Sequence, residues 1–236
     1  MKKKSSIWKK AVKIVIRLFL IFVIASLASV FILIWLPVKH TPLMCQRYFE
    51  NIDDDSYYAH SEWKPIEEIN REMVLAVLAS EDAKFIRHCG FDWEAIKKAA
   101  EHNKRSDRKF GASTISQQTA KNVFLLPSRT WFRKGLEAWF TILIELMWSK
   151  ERIMEVYLNV IETGNGMYGV EAASQYYFGK PASKLNRYEA AQIASILPNP
   201  QGWDLNRPSR QLLRRQSKIL AEMSRLSLPP EIKAAR

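Results

Sequence analysis

The chain has 236 residues and a formal net charge of +12, with 25% charged and 47% hydrophobic positions. That apolar share excludes a disordered polypeptide, and the length suits one sizeable domain with additions. Seven of the positive charges lie in the first 17 residues (Lys2, Lys3, Lys4, Lys9, Lys10, Lys13 and Arg17), leaving +5 for the rest, so the basic balance is not a nucleic-acid signature.

No acidic residue accompanies that tail, and residues 18–36 then read "LFLIFVIASLASVFILIWL" without a charge. At a rise of ~1.5 Å per residue, such a run spans about 28 Å as a helix, the thickness of a bilayer's hydrocarbon layer. Trp35 and Pro37 close it. We read residues 1–17 as a cytoplasmic tail and 18–36 as a single transmembrane helix; the lysines and arginine stay inside, so the remainder lies across the membrane. A cleaved signal peptide is the rival reading. Its apolar core is normally shorter, about 7–15 residues, and ends at a small-residue cleavage site.

Residues 37–64 form a juxtamembrane connector, and 65–236 the main domain. The connector's "NIDDDS" lacks the alternate ligands and downstream glutamate of a calcium loop. From Pro65 on, the pattern is helical. Glu67–Leu78 carries an apolar stripe at Ile69, Met73, Val74, Val77 and Leu78. Asp92 caps "WEAIKKAAEHNKR", Ser113 caps "TISQQTAKNVF", Ser149 caps "KERIMEVYLNV", and Asn186 with Glu189 forms a capping box before "AAQIASIL". Few strands are expected. The fold class is mainly α.

His40, His60, His88 and His102 have no metal-ligand spacing, and no metal site is read from the residues. Cys45 and Cys89 make no disulfide framework and are read as free thiols. Glu81 and Asp82 stand where an apolar helix ends, a place to tune a proton-transferring group or simply surface charge. In "GASTISQQTAKN", Ser113, Gln117 and Lys121 recur every four residues, with Thr114, Gln118 and Asn122 beside them, giving a donor-rich face behind a helix start. Arg129, Arg133 and Lys134 form a basic group that becomes an anion cradle if that face lies next to it. Glu155 shares a helical face with Glu151 and Asn159, as solvated surface or as part of a site. The rings of Trp131, Phe132, Trp139 and Phe140 are either helix core or a surface that dips into the bilayer.

Together these stretches resemble the peptidoglycan glycosyltransferases (glycosyltransferase family fifty-one), which polymerise lipid II into glycan strands. "EDAKFIRHCG" is similar to the family's E-D-x-x-F-x-x-H-x-G motif, and "GASTISQQTAKN" to G-x-S-T-I/L-x-Q-Q-x-x-K-N. "RTWFRKGLEA" resembles R-x-x-x-R-K-x-x-E, and "KERIMEVYLN" followed by "GVEAASQYYFGK" matches the remaining pattern. The resemblance covers residues 65–200 and is closer to the monofunctional form, since no K-T-G of an appended transpeptidase occurs.

The resemblance implies a lysozyme-like helical domain in the bacterial inner membrane, with the catalytic part periplasmic. It implies inverting transfer, in which a sugar 4-hydroxyl displaces undecaprenyl pyrophosphate. Glu81 is then the general base, its proton affinity raised by partial desolvation. Asp82, Phe85 and His88 complete its motif, and Glu155 is a second catalytic glutamate that binds a divalent ion or positions the donor. Lys121, Arg129, Arg133 and Lys134 would neutralise the pyrophosphate. Ser113, Thr114, Gln117, Gln118 and Asn122 would bond sugars and phosphates. Mg²⁺ or Mn²⁺ at the pyrophosphate is an expectation of the family alone. Expected partners are lipid II, the growing strand, membrane lipids and other cell-wall synthesis proteins, and not nucleic acid. Two other readings stay open: a lytic transglycosylase or muramidase that cuts strands, which needs no pyrophosphate cradle, and a non-catalytic scaffold.

Overall fold

The computed structural model describes residues 2–54, 57, 59–106, 111–128 and 130–235, with backbone alone for 2–7. The chain divides into two units, Met1–Leu36 and Pro37–Arg236. The first is a single helix, α1 (Lys2–Ile32), within which Trp8–Ile32 is long and apolar enough to cross a membrane. Its helix stops four residues short of the apolar run's end, because Leu33–Leu36 turn ahead of Pro37.

The second unit is mainly α, as its periodicity predicts. The connector is not plain coil: it folds α2 (Pro42–Glu50), capped by Thr41, whose hydroxyl accepts from the Met44 amide, with Pro42 at the first position where a missing N–H costs nothing. A 3-10 turn at Ile66–Glu68 precedes α3 (Arg71–Glu81). The single helix expected from Glu67 is therefore broken, since Asn70 takes the capping position and accepts from the Glu72 amide. Helix α3 is buried around its whole circumference from Met73 to Leu78, because α9 (Arg187–Ile196) and α10 (Arg210–Met223) pack against it.

A second helical layer joins α5 (Ile115–Phe124) to α6 (Trp131–Met147) and α7 (Lys150–Val160). The outlying α4 (Trp93–Arg105) buries no residue. Asp92, Ser149 and the Asn186–Glu189 box cap as predicted, each through a contact two or three residues away. Ser113 does not cap α5; Thr114 does, one residue later.

Three short strands pair across the domain in the order β1 (His60–Ser61), β3 (Met167–Tyr168), β2 (Glu162–Gly164). The β1–β3 pair is parallel, with His60 opposite Met167, and β2–β3 is antiparallel. Asn159 ties the connector to α7: its amide oxygen accepts from the Lys64 N–H (2.7 Å) and its NH₂ donates to the Lys64 carbonyl (2.8 Å). Just beyond, Gly169 opens α8 (Val170–Phe178) at φ +81, where an added Cβ would lie 2.7 Å from the Asn159 carbonyl oxygen. Gly169→Ala is expected to destabilise by about 2 kcal/mol, from the strained φ and the displaced carbonyl. Urea unfolding measures this.

Candidate active site

Glu81 is the last residue of α3 and Asp82 is its C-cap. The enclosed helix delivers Glu81 to the domain's polar side, and three donors meet it there. Oε1 accepts from Ser80 Oγ (2.8 Å) and from Arg215 Nη2 (3.0 Å), and Oε2 from Gln118 Nε2 (3.1 Å). The apolar shoulder expected for Glu81 is thus the helix beneath it, while the carboxylate itself is held by polar groups. Both oxygens are fixed in direction, as a proton acceptor requires. Arg215, on α10, lies outside every stretch singled out from the sequence.

Asp82 serves a different purpose. Both its oxygens lie 3.0 Å from His88 Nε2, and Oδ2 accepts the Ile115 amide (3.1 Å) at the start of α5. A carboxylate at a helix N-terminus satisfies an orphan donor and meets the positive end of the dipole. Asp82 and His88 therefore bind α5 to the end of α3. Phe85 is fully buried under the Lys150 ammonium, 4.5 Å from the ring centre, so it supports the site from the core rather than lining it.

The donor-rich face of α5 is divided more finely than its spacing implies. Thr114 and Gln117 form a capping box, and Thr114 Oγ1 donates to the Gly90 carbonyl (2.7 Å), so both buried side chains are committed to the helix start. Ser113 is exposed ahead of that start. Gln118 turns to Glu81, with the Tyr157 hydroxyl 3.5 Å behind it. Lys121, three residues on, lies on the same side about one turn away. It lines a cavity of about 350 Å³ with Asn122, Arg133 and Glu162. Among the described residues its ammonium makes no hydrogen bond or ion pair, and burial pushes it below the usual lysine range, with Glu137 pulling the other way.

Arg133 and Lys134 are not free cations. Both pair with Glu137, a carboxylate with 2% exposure; Arg133 Nη1 is 2.6 Å from it. Glu137 was not among the predicted site residues, although its i,i+4 and i,i+3 spacing from the two cations was visible in "RKGLE". Arg129 lies outside the described residues.

Glu155 is not brought to this group. Tyr157 faces Gln118, and two residues along a helix turn the direction by roughly 200°. The Glu155 carboxylate instead accepts from Arg152 (2.9 Å), whose guanidinium lies over Trp63. Burial raises the Glu155 carboxyl, opposed by Arg152, and Glu67 and Glu151 push it further up. The structure thus gives Glu155 a partner inside the helical layer.

Among the described residues, no three His, Cys, Asp or Glu side chains are grouped to hold a metal. The lining at Lys121 and Arg133 is cationic and does not fit a protein-held divalent ion. Larger cavities of about 620 and 750 Å³, lined by Tyr57, Tyr176 and Trp203 and by Tyr48, Phe49 and Trp63, contain neither Glu81 nor Lys121. Cys45 and Cys89 are exposed free thiols.

The arrangement sets a fixed carboxylate at the end of α3 against Gln118 of α5, about one turn along that helix from a desolvated cation. Comparison with known proteins adds a family to that chemistry. A family model described as Transglycosylase matches residues 46–224. The chain is 52% identical over 214 residues to a biosynthetic peptidoglycan transglycosylase of Bdellovibrio bacteriovorus, covering 90% of this chain and 86% of the relative. It is 48% identical over 214 residues to the Pseudomonas putida protein of that description, covering 90% and 91%. It is 50% identical over 203 residues to the one from Yersinia pseudotuberculosis, covering 85% and 84%.

Proposed function

Because this chain belongs to the transglycosylase family, with its lysozyme-like helical fold, we propose that it builds peptidoglycan by polymerising lipid II into β-1,4 glycan strands at the inner membrane. One observation carries this reading. Glu81 is held by three donors, one of which, Gln118, stands about one turn along α5 from Lys121, a buried ammonium with no partner among the described residues. A strand-cutting enzyme needs the carboxylate but has no pyrophosphate to neutralise.

In the proposed step, the 4-hydroxyl oxygen of one sugar attacks the anomeric carbon of the growing strand. Its proton passes to Glu81, the new O4–C1 bond forms, and the old C1–O bond breaks with its electron pair leaving on undecaprenyl pyrophosphate. Attack opposite the leaving group inverts the centre from α to β. Glu81 supplies the acceptor for the proton. Lys121 and the side of Arg133 that faces the cavity meet the charge growing on the pyrophosphate, in a site where burial strengthens each interaction. No step is assigned to a metal ion.

A lipid-linked substrate requires the domain to work at a bilayer. In this reading α1 is the anchor, with the basic tail cytoplasmic and the domain periplasmic. Of the four rings considered at the start of α6, Trp131 and Phe132 are 92% and 76% exposed, and Phe140 is core. Their exposure suits insertion at the headgroup level. Trp131→Ser with Phe132→Ser is expected to raise the KM for vesicle-embedded lipid II several-fold with no loss of melting temperature. An unchanged KM would make the two rings ordinary surface.

The deciding experiment incubates the solubilised full chain with labelled lipid II and resolves the products with and without muramidase. A ladder of muramidase-sensitive strands supports the polymerase. Absence of a ladder, with shortening of added glycan strands, would move the chemistry to cleavage.

A further inference from the structure

We infer that Arg215 is a positioning residue for the general base, acting through Glu81 from a helix that closes over the end of α3. This rests on Glu81 being the base, as proposed above. Arg215 Nη2 reaches Glu81 Oε1 at 3.0 Å and the Ser80 carbonyl at 3.4 Å, so one guanidinium spans the carboxylate and the backbone that carries it. Glu81 is its ion-pair partner, and the two side chains are 30% and 13% exposed. Of the other charged residues on α10, Lys218 and Glu222 line a cavity with Ser80 and Arg215, and Glu222 pairs with Arg225 (3.1 Å), so among the described residues of this helix it is Arg215 that reaches Glu81.

The geometry explains why a second fixing point is needed. Glu81 is the terminal residue of its helix, beyond the last residue whose side chain is locked by packing. Gln118 holds Oε2 from α5, and Ser80 reaches Oε1 only from the adjacent residue of the same chain end. Without Arg215, the carboxylate keeps one long-range hold and can rotate about its terminal torsion, which is broad for a glutamate. With it, α10 and α5 grip opposite oxygens. The bridge to the Ser80 carbonyl makes rotation of the carboxylate and movement of the helix end a single event. Both contacts leave the same nitrogen, Nη2, so the hold depends on one cationic donor placed between the carboxylate and the Ser80 carbonyl.

The test compares Arg215→Gln and Arg215→Lys with the unaltered full chain in lipid II polymerisation. The expected result is a kcat lowered roughly 10- to 100-fold in the glutamine variant, the worth of one charge-assisted hydrogen bond, with KM within about twofold. The lysine variant should recover most of that loss, and both should melt near the unaltered protein. A glutamine variant with normal kcat overturns the inference. So does a lysine variant that melts normally yet is as slow as the glutamine one. If the glutamine variant melts early, the lysine variant decides alone by its kcat. Glu81→Gln run alongside separates the two levels: an inactive unaltered chain sinks the function itself. An active chain silenced by Glu81→Gln but indifferent to Arg215 sinks only the role of Arg215.

Discussion

Glu81→Gln is expected to abolish strand formation while leaving the fold and lipid II binding in place. The amide is nearly isosteric with the carboxylate, and its oxygen still accepts from Ser80 and Arg215. The new NH₂ would face Gln118, whose own amide can turn its oxygen toward it at the cost of the long 3.5 Å contact from the Tyr157 hydroxyl. Arg215 is partly exposed and also donates to the Ser80 carbonyl. On the proposed mechanism the variant loses the acceptor of the 4-hydroxyl proton, worth on the order of 10²–10⁴ in kcat. The measurement is the single-turnover rate together with the lipid II dissociation constant. A near-normal rate would remove Glu81 from the role of base.

Lys121→Met is expected to lower kcat/KM on the order of 10²–10³-fold, with binding and turnover both affected, because the pyrophosphate carries charge before as well as during the reaction. Burial holds the ammonium below the ordinary lysine range. It is charged at low pH and loses its proton, and its pull on the pyrophosphate, at a lower pH than an exposed lysine would. Affinity should therefore fall on the alkaline side, and the methionine variant should lack that limb. The stability effect has the opposite sign. Between the folded and the unfolded proton affinity, the unfolded chain binds more protons, so the cost of burying this cation is relieved as pH rises. The methionine variant should melt at the same temperature or higher at neutral pH, a gain in stability for a loss in function. Unchanged kinetics would take Lys121 out of the cradle.

The two substitutions address the two ends of one arrangement, and the contrast with Glu137 is instructive. Lys121 has no partner among the described residues, whereas Arg133 and Lys134 share the buried Glu137. Three like charges near each other would repel. One carboxylate between two of them keeps a positive lining without accumulating charge that folding cannot tolerate.

Much of this was legible in the sequence, and the reason is locality. The candidate membrane-spanning stretch is a continuous apolar run, and the caps at Asp92, Ser149 and Asn186 are contacts across two or three residues. Four motifs, in order, carry the resemblance to the family within the sequence itself. Where local rules competed, they were nearly tied: Ser113 and Thr114 are both good caps, and the structure takes the second because its hydroxyl also reaches Gly90. The short strands were invisible, since two- and three-residue runs carry no periodicity and His60 pairs with Met167 across the length of the domain.

The site divides along the same line. Sequence alone determined which residue types are present, and hence that a carboxylate, a cation and a donor-rich helix start were available. It could place Glu155 on a helix face but not say what that face packs against, and the fold turned it toward Arg152. It marked Asp82 and His88, yet only the fold showed them holding α5 to α3. It offered no reason to connect Glu81 with Arg215, 134 residues apart. A helix's own periodicity is encoded in its residues. The partner of each face depends on how the helices pack, and packing is settled by the sum of many weak contacts across the whole domain.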